Sequence, residues 1–174
     1  MVFSFLIFSC SKEEEIIFPV SSLSFDYSGY LNGNYSAIGE ESVRNYYGDT
    51  SDFASGNAFK EGGLQYLVIG AQRYSGQGNR DILQLELEAP KAGNNSIPVY
   101  DPYYSVVYNV IEFNYNTDSS KIFYISGHIE LSTLALDRAI GTFHGSAKDD
   151  DGNTITISNG KFNVDFPMIE VPSK

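Results

Sequence analysis

The side chains of this 174-residue chain with the clearest capacity for chemistry are its two histidines, His128 and His144. Each lies in a run that alternates apolar and polar residues, "IFYISGHIELSTL" from Ile122 and "AIGTFHGSA" from Ala139. Such alternation sends successive side chains to opposite faces of a strand. If the runs pair through a short turn at Ala135 to Asp137, Ile129 faces Phe143 and Leu131 faces Gly141 on the apolar side. The same register sets His128 opposite His144 on the outward side, with Glu130 two residues along. Imidazoles about 5 Å apart at Cβ, with a carboxylate nearby, are ligand types for zinc, copper or nickel. The ordinary alternative is a pair of polar residues on a wetted strand face.

A second cluster is the acidic run "KDDDGNT", where Asp149, Asp151 and Asn153 have the alternate spacing of calcium ligands. A complete calcium-binding loop of the EF-hand kind needs Gly at its sixth place and Glu at its twelfth, and those places hold Thr154 and Gly160. A tight turn shaped by Asp and Gly is the simpler expectation. Glu86 and Glu88 alternate on one face of another run, and tyrosine pairs at Tyr46–Tyr47 and Tyr103–Tyr104 offer rigid amphipathic surface for a glycan or a protein. The chain contains no HExxH, no nucleophile elbow and no phosphate-cradling glycine loop, so the reading is of a non-enzymatic protein without a cofactor.

These groups must be carried by strands. Tyr and Phe are frequent, Trp is absent, and sixteen glycines punctuate short alternating runs with no sustained helical period. "LSFDYSGYL" followed by "NGNYSAIG" reads as a hairpin turning at Asn32–Gly33. "LQYLVIGAQRY" and "DILQLELEA" are strands, the latter with Leu83, Leu85 and Leu87 on one face and Gln84, Glu86 and Glu88 on the other. "YSVVYNVIEFNYN" is apolar on both faces, as a strand covered on two sides should be. Near the end, Asn159–Gly160 predicts a two-residue hairpin that pairs Ile157 with Phe162 and Ile155 with Val164. The region from Gly39 to Gly63 reads as a long loop holding a short helical turn.

The expected fold is therefore a single all-β domain over residues 18–174, with about eight to ten antiparallel strands. A two-sheet β-sandwich is the first architecture, and a flattened closed β-barrel of lipocalin-like form is the alternative. A formal net charge of −11 repels phosphate backbones, which argues against a nucleic-acid partner.

The one cysteine, Cys10, closes no disulfide and builds no thiolate metal site. It follows the apolar run "VFSFLIF", far shorter than the roughly 20 residues of a membrane-spanning helix but suited to an export signal. Ile7-Phe8-Ser9-Cys10 resembles a bacterial lipobox, and Ser11-Lys12-Glu13-Glu14-Glu15 resembles the Lys-then-acidic signal of surface-exposed lipoproteins of the Bacteroidota. The carboxy-terminal third, with Ile125 to Leu131, Gly141 to Gly145 and Gly152 to Phe162, is similar to that of uncharacterised lipoproteins of the same group. The resemblance implies a signal peptide over residues 1–9 shortened at its start, a lipidated Cys10, and an acidic tether over 10–17. It further implies an outer-membrane protein, lipid-anchored and exposed on the cell surface. On that reading the protein is a binding module for a glycan, peptide or partner protein. A surface hydrolase whose site assembles only in three dimensions, or a metal-binding lipoprotein using His128, His144 and Glu130, are the alternatives.

Overall fold

The computed structural model describes residues 20–39, 52–61, 64–76, 79–97, 109–116, 119–135 and 137–166. Cys10 with its flanking segments and the tyrosine pairs at 46–47 and 103–104 lie outside the described residues. Every described element is a strand, in the order β1 (Ser22–Gly29), β2 (Gly33–Ile38), β3 (Phe53–Glu61), β4 (Leu64–Gly76), β5 (Asn79–Glu88), β6 (Gly93–Ile97), β7 (Val110–Asn116), β8 (Ser119–Leu134), β9 (Arg138–Lys148) and β10 (Thr154–Asp165).

The strands form one antiparallel sheet in the order β2-β1-β10-β9-β8-β7-β5-β4-β3. The faces that a sandwich would place in separate sheets are thus hydrogen-bonded into one, and the sheet curls until it nearly closes, in agreement with the barrel alternative. The long β8 makes this continuity. Along one edge it pairs with β9, and along the other it pairs first with β7 and then with β6. Where β7 begins, Asn109 carries the ladder across: its carbonyl accepts from Ile125 N–H and its side-chain oxygen from Glu86 N–H. At the seam, Gly39 N–H bonds Ser21 and Gly39 carbonyl accepts from Ala54, so β3 starts beside the end of β2.

Alternation fills the interior. Leu67, Ile69, Leu83, Leu85, Ile111, Phe123, Ile125, Ile129 and Leu131 are essentially inaccessible. Burying each such side chain stabilises the fold by about 1.5–3 kcal/mol. Aromatic contacts knit the interior: Tyr35 stacks on its cross-strand partner Phe25 at 4.9 Å, Phe25 meets Phe143 two strands away edge-on at 5.7 Å, and Tyr27 of β1 reaches across to Phe113 of β7 at 4.9 Å. Inside is apolar and outside is polar, the reverse of the sidedness of a membrane-spanning barrel.

One loop and two turn assignments are corrected. Within the region from Gly39 to Gly63, read as a long loop, Phe53–Glu61 is the strand β3, held by its pairing along β4 although its own residues alternate poorly. The first hairpin turns earlier, at Tyr30–Asn32 with Tyr27 opposite Gly33, where the Asn32 side chain accepts from Gly29 N–H and donates to Gly29 carbonyl. The Asn159–Gly160 hairpin does not form. β10 runs straight through it, paired with β1 on one edge and β9 on the other, and the dipeptide makes a bulge. Asn159 takes the left-handed conformation at φ 53° and donates to Asp26, while a Cβ on Gly160 would lie 2.4 Å from Phe143 carbonyl. The bulge switches the inward face from Ile155 and Ile157 to Phe162 and Val164, so all four are buried as expected but on one strand. A hairpin and a bulge both reverse the parity of an alternating run, and the neighbouring strands decide between them.

Candidate functional site

The outer wall of β8 and β9 presents cross-strand pairs in rows: Tyr124 with Lys148, Ser126 with Ser146, His128 with His144, and Glu130 with Thr142. This is the register expected from the sequence. The imidazole centres lie 5.6 Å apart with their planes at 40°, and both residues are exposed. On the inward side of the neighbouring row Gly127 faces Gly145, and a Cβ on either would fall 2.1 to 2.2 Å from the opposite backbone carbonyl. Only glycine permits the backbones to approach so closely. Ser96 of β6 stands opposite His128, and Asn94 opposite Glu130. Glu130 occupies the next row, and among the described residues no three His, Cys, Asp or Glu side chains converge as a metal-ligand group. The imidazoles are brought together, and the carboxylate is left one row away.

Beyond the serine row the wall dips into an open groove of about 530 Å³, lined by Tyr124, Ser126, Ser146, Lys148, Thr154 and the turn from Asp149 to Gly152. The serine hydroxyls are 3.5 Å apart. The acidic turn is held from within by Asp149, whose carboxylate accepts from Asn153 N–H at 2.7 Å, from the Asn153 amide at 2.8 Å and from Lys121 Nζ at 3.2 Å. Removal from water opposes the charge on Asp149, but the Asn153 and Lys121 bonds outweigh it and hold the carboxyl below its usual range. Lys121 is correspondingly raised, first by Asp149 and then by the Tyr30 hydroxyl, and its ammonium also lies 4.7 Å from the Tyr30 ring centre. Asp149, Asp151 and Asn153 therefore do not turn a common ligand set outward. Asp149 and Asn153 bond each other, and Asp151 sits exposed, 3.5 Å from Lys121.

A third polar group lies where the sheet nearly closes. Arg73 of β4 is opposite Asp81 of β5, bonds its carboxylate through Nε and a terminal nitrogen, and donates to Asn34 carbonyl of β2 at 2.6 Å. Its guanidinium lies 4.9 Å from the Tyr35 ring centre, while the Tyr35 hydroxyl donates to Asp81 carbonyl. Burial drives the Tyr35 phenol well above its ordinary value, and Arg73 offsets this only in part. Burial works against charge on Arg73, yet Asp81 and the Tyr27 hydroxyl more than compensate and raise it. This cluster escaped the motif-based reading although its signal was in the sequence. Arg73 continues the inward series Leu67, Ile69, Ala71, and Asp81 begins the inward series Leu83, Leu85, Leu87, so opposite charges fall at two adjoining interior positions. Glu86 and Glu88 lie on the outer face of β5, half-buried and exposed respectively.

Among the described residues no helix is long and apolar enough to cross a membrane. Comparisons with known protein families, with curated proteins and with solved structures found no match.

Proposed function

We propose that this protein is a non-enzymatic binding module held at the outer surface of a bacterial outer membrane by lipid on Cys10. Its ligand site is the groove on the outer wall of β8, β9 and β10. The observation that carries the binding reading is the lining of that groove: an aromatic ring at Tyr124 and hydroxyls at Ser126, Ser146 and Thr154 on the sheet, with carboxylates of the Asp149–Gly152 turn at the rim. Of glycan, peptide and protein ligands, this lining favours a glycan. A ring face stacks on a sugar's C–H surface while hydroxyls and carboxylates exchange hydrogen bonds with its hydroxyls. Asp149 does not fit the role of a general acid, which needs a carboxyl raised toward neutrality, because this one is lowered and engaged by Asn153 and Lys121. The anchor reading rests on Ile7 to Cys10 and Lys12 to Glu15, and the ten residue-to-residue steps from Cys10 to Val20 let the barrel stand at most about 36 Å from the lipid.

Two variants test the two halves. Cys10→Ala should release the protein from the membrane fraction and abolish surface protease access, and unchanged attachment would refute the anchor. Tyr124→Ala, in protein that circular dichroism shows to keep its β fold, should weaken binding in a glycan screen by tenfold or more. Glycan binding that ignores this substitution, or release of reducing sugar on incubation, would refute the proposed site or the non-enzymatic role.

A further inference from the structure

We propose that His128 and His144 form a two-imidazole site for a late first-row divalent metal ion, copper, nickel or zinc, on the outer wall of the barrel. The proposal stands apart from the lipid anchor and from the ligand of the groove.

The geometry is close to that of a ligated pair. With metal–nitrogen distances of about 2.0–2.1 Å, ring centres about 1.2 Å behind the ligating nitrogens and a ligand angle of about 90–110°, the centres of two imidazoles on one ion lie about 4.5–5 Å apart. The observed centres are 5.6 Å apart and tilted by 40°, so closing them by about 0.6–1.1 Å, with rotation of the two exposed rings to aim their nitrogens, reaches the spacing of a ligated pair. The rings cannot drift apart by strand slippage. Their register is enforced on the buried side by Ile129 against Phe143 and Leu131 against Gly141, and a one-residue slip would turn these core residues to water. The Gly127–Gly145 contact fixes how near the two backbones come beside the pair.

Both imidazoles reach solvent, so an ion has an entry path and water can complete its coordination. Glu130, one row along β8, lies outside direct ligation in this arrangement and is placed to attract the ion and to accept from a metal-bound water. The chain's net charge of −11 adds a general attraction for cations. Imidazole nitrogen with water is a donor set that favours copper over nickel and zinc by the usual divalent order, and open positions make the bound ion exchangeable. The row order places the ion beside the Ser126–Ser146 end of the groove.

The test uses the full chain without an affinity tag and with Cys10→Ser, so that neither added histidines nor a free thiol contribute. Copper(II), nickel(II) and zinc(II) are titrated by calorimetry, and the copper form is examined by electron paramagnetic resonance. The expected result is one ion per chain, copper tightest, with hyperfine structure from two nitrogens. Loss of one arm of a chelate forfeits on the order of 100-fold in affinity. His128→Gln and His144→Gln should each show that loss and a one-nitrogen signal, with the metal-free melting temperature unchanged because both rings are exposed. Moving the second imidazole one row, with His144→Gln and Ser146→His together, gives a diagonal pair about 7–8 Å apart and should not restore binding. Absence of saturable binding, affinity indifferent to either single substitution, or full affinity in the moved-imidazole variant would each overturn the proposal.

Discussion

Arg73→Met removes the charge that joins β4 and β5 to β2 while keeping a side chain of similar reach. The Asp81 carboxylate it leaves behind is 6% exposed, and the Arg73 side chain is 23% exposed in the intact protein. Removing the cationic member of a buried ion pair costs about 3–5 kcal/mol, and the partial wetting of Arg73 puts the expectation at the lower end, about 3 kcal/mol. For a chain of this length each kcal/mol moves the melting temperature by about 2–4 °C, so a drop of about 6–12 °C should follow. Adding Asp81→Leu removes the carboxylate as well, and the double variant still lacks the bond to Asn34 and the Tyr35 cation–π contact, about 1 kcal/mol each. The double variant should therefore be more stable than Arg73→Met alone. Urea unfolding followed by circular dichroism measures all four corners of the cycle, with constant slope as the check that only stability has changed. A loss below about 1 kcal/mol for Arg73→Met, or single effects that add in the double variant to within about 0.5 kcal/mol, would refute the closing role of this cluster.

The close approach of β8 and β9 predicts that Gly145→Ala destabilises strongly, because its Cβ would lie 2.1 Å from Ser126 carbonyl. Gly70→Ala, whose nearest neighbour would be the Ser55 hydroxyl at 3.8 Å, should be neutral or stabilise by about 0.4–1 kcal/mol, and thermal melts of the pair check the contrast. The lowered Asp149 carboxyl contributes stability that is complete above its unfolded value of 3.8 and is lost as pH falls below it. Lys121, raised in the fold, contributes stability that is complete below its unfolded value of 10.5 and is lost as pH rises above it. Asp149→Asn should flatten the acid limb of a plot of melting temperature against pH and Lys121→Met the alkaline limb, and limbs that keep their wild-type slope would disprove the linkage.

Much of the fold was legible in alternation alone. Hydrophobic parity in Ile122 to Ala147 specifies both faces of β8 and β9, and a turn of defined length between them leaves one register, which is why the imidazole pair lies where the residue pattern puts it. The charges at Arg73 and Asp81 were legible in the same parity, as two breaks in otherwise apolar inward series. The acidic turn was misleading as a ligand set because spacing does not say which way a carboxylate points. Asp149 bonds its own turn: its carboxylate accepts from the Asn153 backbone N–H and the Asn153 side-chain amide, and those bonds turn it away from solvent.

The sequence by itself determined the all-β class, the inward and outward sides of the alternating runs, the pairing of β8 with β9 and the acidic charge. These follow from local periodicity and charge, which act over a few residues. Only the tertiary structure decided that the sheet is one and curls shut, that Asn159–Gly160 bends a continuous strand, and that Arg73 reaches β2 across the seam. Each depends on a strand remote in sequence. β1 lies along β10 and holds it straight through the bulge, β6 and β7 share one edge of β8, and Asn34 lies 39 residues before the arginine that bonds it. Long-range pairing is chosen by the whole core's burial, a sum that no local run of residues contains.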